Sequence, residues 1–511
     1  MLRGDVHCFG GDCYALAFSI PAGLMIIALI IFSAGSPLYK KIHPEGNVLV
    51  DVSKCILFAI TNRWKHRNDG DLPRKHWLDW AKEKHNDYLI NDVKKVLKVL
   101  LLYLPLPMFW ALFDQQGSRW TLQATTMSGD FGTFVLKPDQ MQTLNPLLIV
   151  VFIPIFDFGV YPLINKCGIN FTPLRRMATG MFLVVIAFVL ASLVQRCIDS
   201  TLPDFPKGNE MRLRFLNLNK DPMFITAPNQ STLLSGIEVS NYGTLQLQDG
   251  KAFIMRLNET ANCSATVYHE KSFTLLITEN LTCNQITDFS KKPKGSKAHV
   301  RIVNALPDVV TVEIGDTQWE NIPSGGYKDY EAVERGIFNV NVTSQGKTKI
   351  VSTQLLDFGG AYTILAHKVG IQVDAKLFID IPPNSVHIAW QIPQYFAITA
   401  GEMMFSITGL EFSYTQAPKS MKSVLQAGWL LTVAFGNIIM LLIAETALLA
   451  QWLEFLLCAL LLFVVFIIFS IMAIFYVHVD SAENSMDKDS CNKFIDNSRD
   501  KYATVMDDHN G

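Results

Sequence analysis

Charge is scarce in this sequence: 18% of its 511 residues are Asp, Glu, Lys or Arg, against 50% that are hydrophobic. A formal net charge of −2 leaves no basic excess, which excludes the electrostatic footprint of a nucleic-acid binder. The nine cysteines include no CxxC and no Cys/His metal spacing, so no zinc site is suggested. Cys13, Cys55 and Cys458 sit in apolar or cytosolic contexts, while Cys263 and Cys283 share a polar exterior segment where a disulfide is open to them but not required. Lys and Arg are missing altogether from residues 386–418, VHIAWQIPQYFAITAGEMMFSITGLEFSYTQAP.

That stretch is apolar over the roughly 20 residues a spanning helix needs, yet it holds Glu402 and Glu411. An ionised side chain at the bilayer centre costs about 2.5–3.5 kcal/mol on the mildest scale, so Glu402 is expected to face a protein interior or a water-filled cavity. A hydrogen bond to a neighbouring helix would satisfy it without any function. Nine residues make 2.5 helical turns, which puts Glu402 and Glu411 on opposite faces and gives them different jobs.

The run from Cys13 to Ala34 is long enough to span and too long, with the wrong flank, for a cleaved signal. Residues 1–39 therefore form one span with the amino terminus outside. Residues 40–98, dense in Lys and Arg, form a cytoplasmic segment in which Val52, Ile56, Phe58, Ile60 and Trp64, then Trp77, Trp80 and Ala81, mark two helical stretches used for packing. Residues 99–196 hold three spans, 99–116, 142–165 and 177–196, with an outer loop at 117–141. Pro105 and Pro107 bend the first, where Phe109, Trp110 and Phe113 cluster as pocket walls or plain packing. Asp157 lies inside the second, and the nearest cation by topology is Lys98.

Residues 197–385 alternate apolar and polar residues between turn signals, as strands of antiparallel sheets do. The pattern repeats: Arg214, Asn217 and Asp221 recur 87 residues on as Arg301, Asn304 and Asp308, with Phe253 near the equivalent of Phe338. Two tandem β-sandwich lobes are expected, outside the cell, where glycosylation sequons gather at Asn229, Asn258, Asn262, Asn280 and Asn341. A further sequon, at Asn170, falls in a cytosolic loop. Residues 386–478 hold the last three spans and 479–511 a disordered cytoplasmic tail. Seven spans with a large domain between the fourth and fifth do not suit a receptor. A transporter of the major facilitator type fits better, the chain giving the last helix of one six-helix bundle, the linker, and the whole of the second.

FWALFDQQGSRWTLQ at 109–123, HWLDWAKEK at 76–84, the Gly-Glu at 401–402 and GLEFSYTQAPKSMKSVLQAGWLL at 409–431 resemble the proton-coupled oligopeptide transporters of animals, solute carrier family 15. The resemblance implies a plasma-membrane, apical symporter of di- and tripeptides with protons as coupling ion, no cofactor and no enzymatic activity. It also implies a truncated form, since the family has twelve spans and its ExxERF motif lies on the first. Such a piece is expected to insert but not to accumulate peptide alone. The alternative is a non-transporting membrane protein whose exterior lobes bind a protein partner. By the same resemblance Glu402 pairs with the peptide ammonium, Trp110 lines a side-chain pocket, Asn145 makes a polar backbone contact, and Lys98 with Asp157 forms a cytoplasmic gate in which lysine stands for the family's arginine. The chemistry agrees, because a zwitterionic peptide of variable side chains needs a carboxylate at one end and roomy aromatic walls.

Overall fold

The computed structural model describes residues 7–8, 11–12, 14–39, 48–66, 74, 76–228, 230–258, 261–293, 297–345, 347–370, 372–418, 420–445 and 450–477. The expectations for Asn229 and for the tail from 479 lie outside the described residues. Two units divide the chain, 1–94 and 95–511.

The helices are α1 (Tyr14–Ala34), α2 (Val48–Lys65), α3 (Asp87–Tyr103), α4 (Pro107–Phe113), α5 (Arg119–Thr125), α6 (Leu144–Ile155), α7 (Tyr161–Lys166), α8 (Pro173–Thr201), α9 (Ile392–Glu402), α10 (Thr408–Gln416), α11 (Lys422–Glu445) and α12 (Gln451–Phe475). In the first unit, α2 buries Val52, Cys55, Ala59 and Asn62 along one face. The Asn62 amide donates to the Trp80 carbonyl at 3.0 Å and to Glu83 Oε2 at 2.9 Å, and Lys94 pairs with Asp79 at 2.5 Å. Val52, Trp80 and Ala81 thus pack as expected, whereas Ile60 and Trp64 are exposed.

In the second unit, prolines at 105 and 107 interrupt the ladder, and the segments 87–103 and 107–125 meet at 42°. The helix resumes well past residue 116, so the outer loop expected at 117–141 is shorter and begins after Thr125. Gly436 of α11 fits against this bend: a Cβ there would lie 2.8 Å from the Pro107 carbonyl oxygen and 3.0 Å from the Ala111 nitrogen. Two further spans contain a π turn, Phe156–Val160 between α6 and α7, and Met403–Ile407 between α9 and α10. Among the described residues four helices are long and apolar enough to cross a membrane, or five with the bent pair as one span. Seven were expected. The two outside that class are the shorter apolar helix 18–34 and the α9–α10 segment, whose polar side chains lower its hydropathy.

Between α8 and α9 stand two β lobes of the same topology. In the first, strands Cys283–Asp288, Ser272–Ile277 and Met211–Asn217 form one sheet with two short edge strands, and Gln230–Leu234, Met223–Ala227, Ala252–Leu257 and Ala261–Thr266 form the other. The second lobe repeats this with Tyr327–Val333, Ala298–Asn304, Ala361–Val369 and Gln372–Ile381 facing Thr317–Ile322, Val310–Ile314, Gly336–Ser344 and Lys347–Leu356. The sheets are not wholly antiparallel. Each lobe has one parallel pair, Met211–Asn217 with Ser272–Ile277 and Ala298–Asn304 with Ala361–Val369. Asn217 and Asn304 do matching work, each donating to the carbonyl of the repeat aspartate, Asp221 at 3.0 Å and Asp308 at 2.9 Å. Cys263 and Cys283 form a disulfide between the sheets of the first lobe. Asn258, Asn262 and Asn280 are exposed and Asn341 is half-buried.

The lobes are joined by an exchange of ions. Arg214 of the first pairs with Asp380 of the second at 2.5 Å, and Arg301 of the second with Asp288 of the first at 2.7 Å. Thr274 and Tyr242 donate to Asp288 at 2.6 and 2.8 Å; Thr363 and Tyr330 donate to Asp380 at 2.5 and 2.6 Å. Burial pushes the Asp288 carboxyl up, but the Arg301 and Arg214 guanidiniums and the two hydroxyls outweigh it and hold the group below the usual carboxylate range. An apolar cluster with Leu216, Leu276 and Ile286 from one lobe and Val303, Leu365 and Phe378 from the other seals the interface. The second lobe is tied in turn to the loop after α5: Arg335 bridges Asp357 at 2.9 Å and Asp130, the Asn384 amide donates to the Met127 carbonyl at 3.0 Å, and Ser128 bridges His387 through the backbone.

Candidate functional site

Glu402 is placed by a close approach of two helices. A Cβ on Gly401 would lie 2.7 Å from the Gly180 carbonyl oxygen, and one on Gly180 would lie 2.6 Å from that of Gly401, so α8 and α9 touch backbone to backbone. Small residues alone permit this. Glu402 follows as the last residue of α9 before the π turn, a local widening that recurs at functional sites. Its side chain is half-buried, and Oε2 is sealed from solvent with no hydrogen-bond partner. Asn145 and Asp114 are the neighbouring polar groups, and the Asn145 amide is itself held by Gln116 Oε1 at 2.8 Å. An acidic oxygen so placed, with no cation acting on it among the described residues, is available to a ligand carrying positive charge.

One turn beyond Glu402 the wall is aromatic. Phe405 stacks on Phe109 with centroids 3.7 Å apart, and Trp110 stands edge-on to Phe109, Phe113, Phe405 and Trp429 at 5.4 to 6.0 Å. Trp110 Nε1 donates to Thr432 Oγ1 at 3.2 Å, which fixes the indole. Tyr103 packs against Trp429 and donates its hydroxyl proton to Ser413. Phe109, Trp110, Phe113 and Asn145, singled out in the sequence, therefore lie in one region with Glu402. Phe405, Trp429 and Tyr103 were not singled out. Phe405 was within reach, since residues three apart on a helix share a face; Trp429 and Tyr103 come from other spans, and only the fold brings them in.

Lys98 and Asp157 are both exposed, and no ion pair joins them in this structure. Asp157 lies in the π turn Phe156–Val160, and the pairing expected from topology is not formed in this structure. The charges around it are those acting on the Tyr161 hydroxyl, Arg176, Asp157 and Glu411, with the Arg176 guanidinium 4.3 Å from the Tyr161 ring centre. Among the described residues no group of three or more His, Cys, Asp or Glu is arranged to hold a metal ion.

Comparison with known proteins adds the family. The model of the POT family matches residues 1–291 and 361–452. Solute carrier family 15 member 2 of Danio rerio is 49% identical over 496 residues, covering 94% of this chain and 69% of its own; the human member 2 is 47% identical over 501 residues with the same coverage. Member 1 of Canis lupus familiaris is 46% identical over 508 residues, 96% of this chain and 71% of its own. Members 1 and 2 thus match about equally. The solved POT transporter PepTSo aligns at 19% identity and a TM-score of 0.46, over 91% of this chain and 65% of its own. The carboxylate and aromatic wall thus lie in a chain that belongs to the POT family, with the solute carrier family 15 peptide carriers among its relatives.

Proposed function

We propose that this chain carries di- and tripeptides across the plasma membrane together with protons, with Glu402 receiving the peptide ammonium. What carries the reading is the Glu402 carboxylate: among the described residues one oxygen has no partner and no cation competes for it, and the aromatic wall of Phe109, Trp110, Phe113, Phe405 and Trp429 begins one turn away. Aromatic rings accept side chains of many shapes, while the carboxylate selects the one group every free peptide shares. Asn145 holds the polar side of the site.

Glu402→Gln keeps the shape and removes the charge. In the transport-competent protein it is expected to weaken binding of dipeptides with a free amino group by roughly ten- to a hundredfold, the worth of a charge-assisted hydrogen bond, and to leave amino-blocked analogues nearly unchanged. Binding titrations with both ligand types decide it, and equal losses would remove the role. Lys98 and Asp157 belong to the same reading as a gate that joins when the inner ends of their spans meet. Lys98→Ala and Asp157→Ala are each expected to impair uptake, and the swap Lys98→Asp with Asp157→Lys to recover part of it; strictly additive damage would argue against a pair.

A further inference from the structure

Along α9 and its flanking turns, Gln391, Tyr395, Thr399, Glu402 and Ser406 are spaced four, four, three and four residues apart. That spacing gathers them on one face of the helix. Each carries a polar atom that is sealed from solvent and reached by no protein donor or acceptor: Oε1, OH, Oγ1, Oε2 and Oγ in turn. Gln394 Oε1 beside the outer end and Trp120 Nε1 on α5 are in the same condition, with the Trp120 and Tyr395 rings 5.2 Å apart. Gln391, Gln394, Tyr395 and Thr399 have no exposed surface at all.

These groups are not loosely placed. Gln391 Nε2 donates to the Trp120 carbonyl at 3.0 Å and to Gln123 Oε1 at 3.1 Å; Gln394 Nε2 donates to the same Gln123 oxygen at 3.1 Å; and Gln123 Nε2 donates to the Ala191 carbonyl at 3.0 Å. The amide nitrogens are all engaged, so the oxygens and hydroxyls are held in a row with hydrogen-bonding capacity left over. Both acceptors and a donor are in surplus, and on the far side from Glu402, at Gln391, Gln394, Tyr395 and Thr399, the positions are too enclosed for a peptide. Only a small molecule that donates and accepts in equal measure satisfies such a row.

We propose that this seam holds a file of water running from the outer end of α9, beside exposed Trp390, to Glu402, and that protons reach the Glu402 carboxylate along it. A hydronium at the outer end gives one proton to the first water of the file. Each water, and each hydroxyll of Tyr395 and Thr399, accepts one proton and passes one on, ending unchanged. The last proton is taken by Glu402 Oε2, and the carboxylate becomes a neutral acid. The charged groups near that end are Asp114, whose field acts on Glu402, and Glu402 itself. The inference rests on the reading above only in taking protons as the coupling ion.

The test is hydrogen–deuterium exchange at Glu402 in the full chain held in lipid nanodiscs at acid pH. The carbonyl stretch of the protonated carboxyl, assigned by its loss in Glu402→Gln, is followed by infrared spectroscopy after transfer to D2O. Tyr395→Phe and Thr399→Val, which each remove one link and keep the volume, are expected to slow exchange by about tenfold, and Thr399→Ser to leave it fast. Unchanged exchange in both variants overturns the proposal, and so does a Glu402 that stays ionised at every pH where the protein is folded. Circular dichroism and thermal melting identify a variant that has merely unfolded, for which Tyr395→Phe, the smaller change, decides alone. Failure of the ammonium reading shows separately, in the comparison of free with amino-blocked dipeptides.

Discussion

Asp288→Ala is expected to destabilise both β lobes at once, by about 3–5 kcal/mol, because it takes from the fully buried Arg301 guanidinium its 2.7 Å carboxylate and leaves Asp380, at 3.6 Å, to balance both arginines. The loss is not local. Asp288 also accepts the Thr274 and Tyr242 hydroxyls, and Arg301 belongs to the other lobe, so the variant breaks an element of each fold and their junction together. Denaturant unfolding of the lobes in the intact chain measures it. Arg301→Met with Asp288→Leu, which removes both charges, is expected to recover most of the loss. The same network sets an acid limit. The Asp288 pKa is depressed in the fold, so its stabilisation is fully present above the unfolded carboxylate value of about 4 and is lost as pH falls through the lower folded value. Lobe stability is therefore expected to be flat with respect to this group from neutral pH down to about pH 5. A steep decline in that window, retained in the Arg301→Met, Asp288→Leu variant, would trace to another group.

Gly401→Ala is expected to cost about 1–3 kcal/mol of bundle stability and to abolish tight peptide binding, although it adds a single methyl. The methyl has nowhere to go. It would meet the Gly180 carbonyl oxygen at 2.7 Å and the Val184 side chain at 2.9 Å, and backbone does not yield as a flexible side chain does. α8 and α9 must then part, and the residue displaced with the backbone is Glu402. Gly180→Ala makes the same collision from the other side, against the Gly401 carbonyl at 2.6 Å and the Phe405 nitrogen at 3.0 Å. The double variant is expected to cost less than the sum, since one separation relieves both contacts. Thermal melting in detergent with and without dipeptide reads both effects, and full additivity would show that the two glycines do not share one contact.

Much of the architecture is legible in residue order alone. The 87-residue recurrence of Arg214 and Arg301 gave two lobes, and apolar run lengths gave most spans, because β alternation and bilayer thickness are written in residue order. The purpose of that recurrence was not legible. The partners Asp288 and Asp380 lie 92 residues apart, so they fall off the period that marks the arginines, and the cross-lobe exchange is a property of assembly alone. Glu402 stood out because a carboxylate in an apolar run has a calculable cost. The glycine contact that places it left no such mark, since Gly180 and Gly401 are 221 residues apart and meet only in the fold. Lys98 and Asp157 lie at similar depth by residue order but form no ion pair in this structure, since depth alone does not fix which way a side chain points.

The π turn at Met403–Ile407 also changes the arithmetic of the helix that contains it. Counted as plain α-helix, Glu402 and Glu411 are half a revolution apart. A π turn absorbs one extra residue, so everything after it lags by about 100°, and the two carboxylates come to within about 80° of each other around the axis. Glu411, exposed and acting on Tyr161, is therefore turned toward the same side of the span as Glu402. Helix phase then becomes a variable of its own: removing one residue between Met403 and Ile407 would leave composition and length almost untouched, yet rotate all of α10 relative to α9.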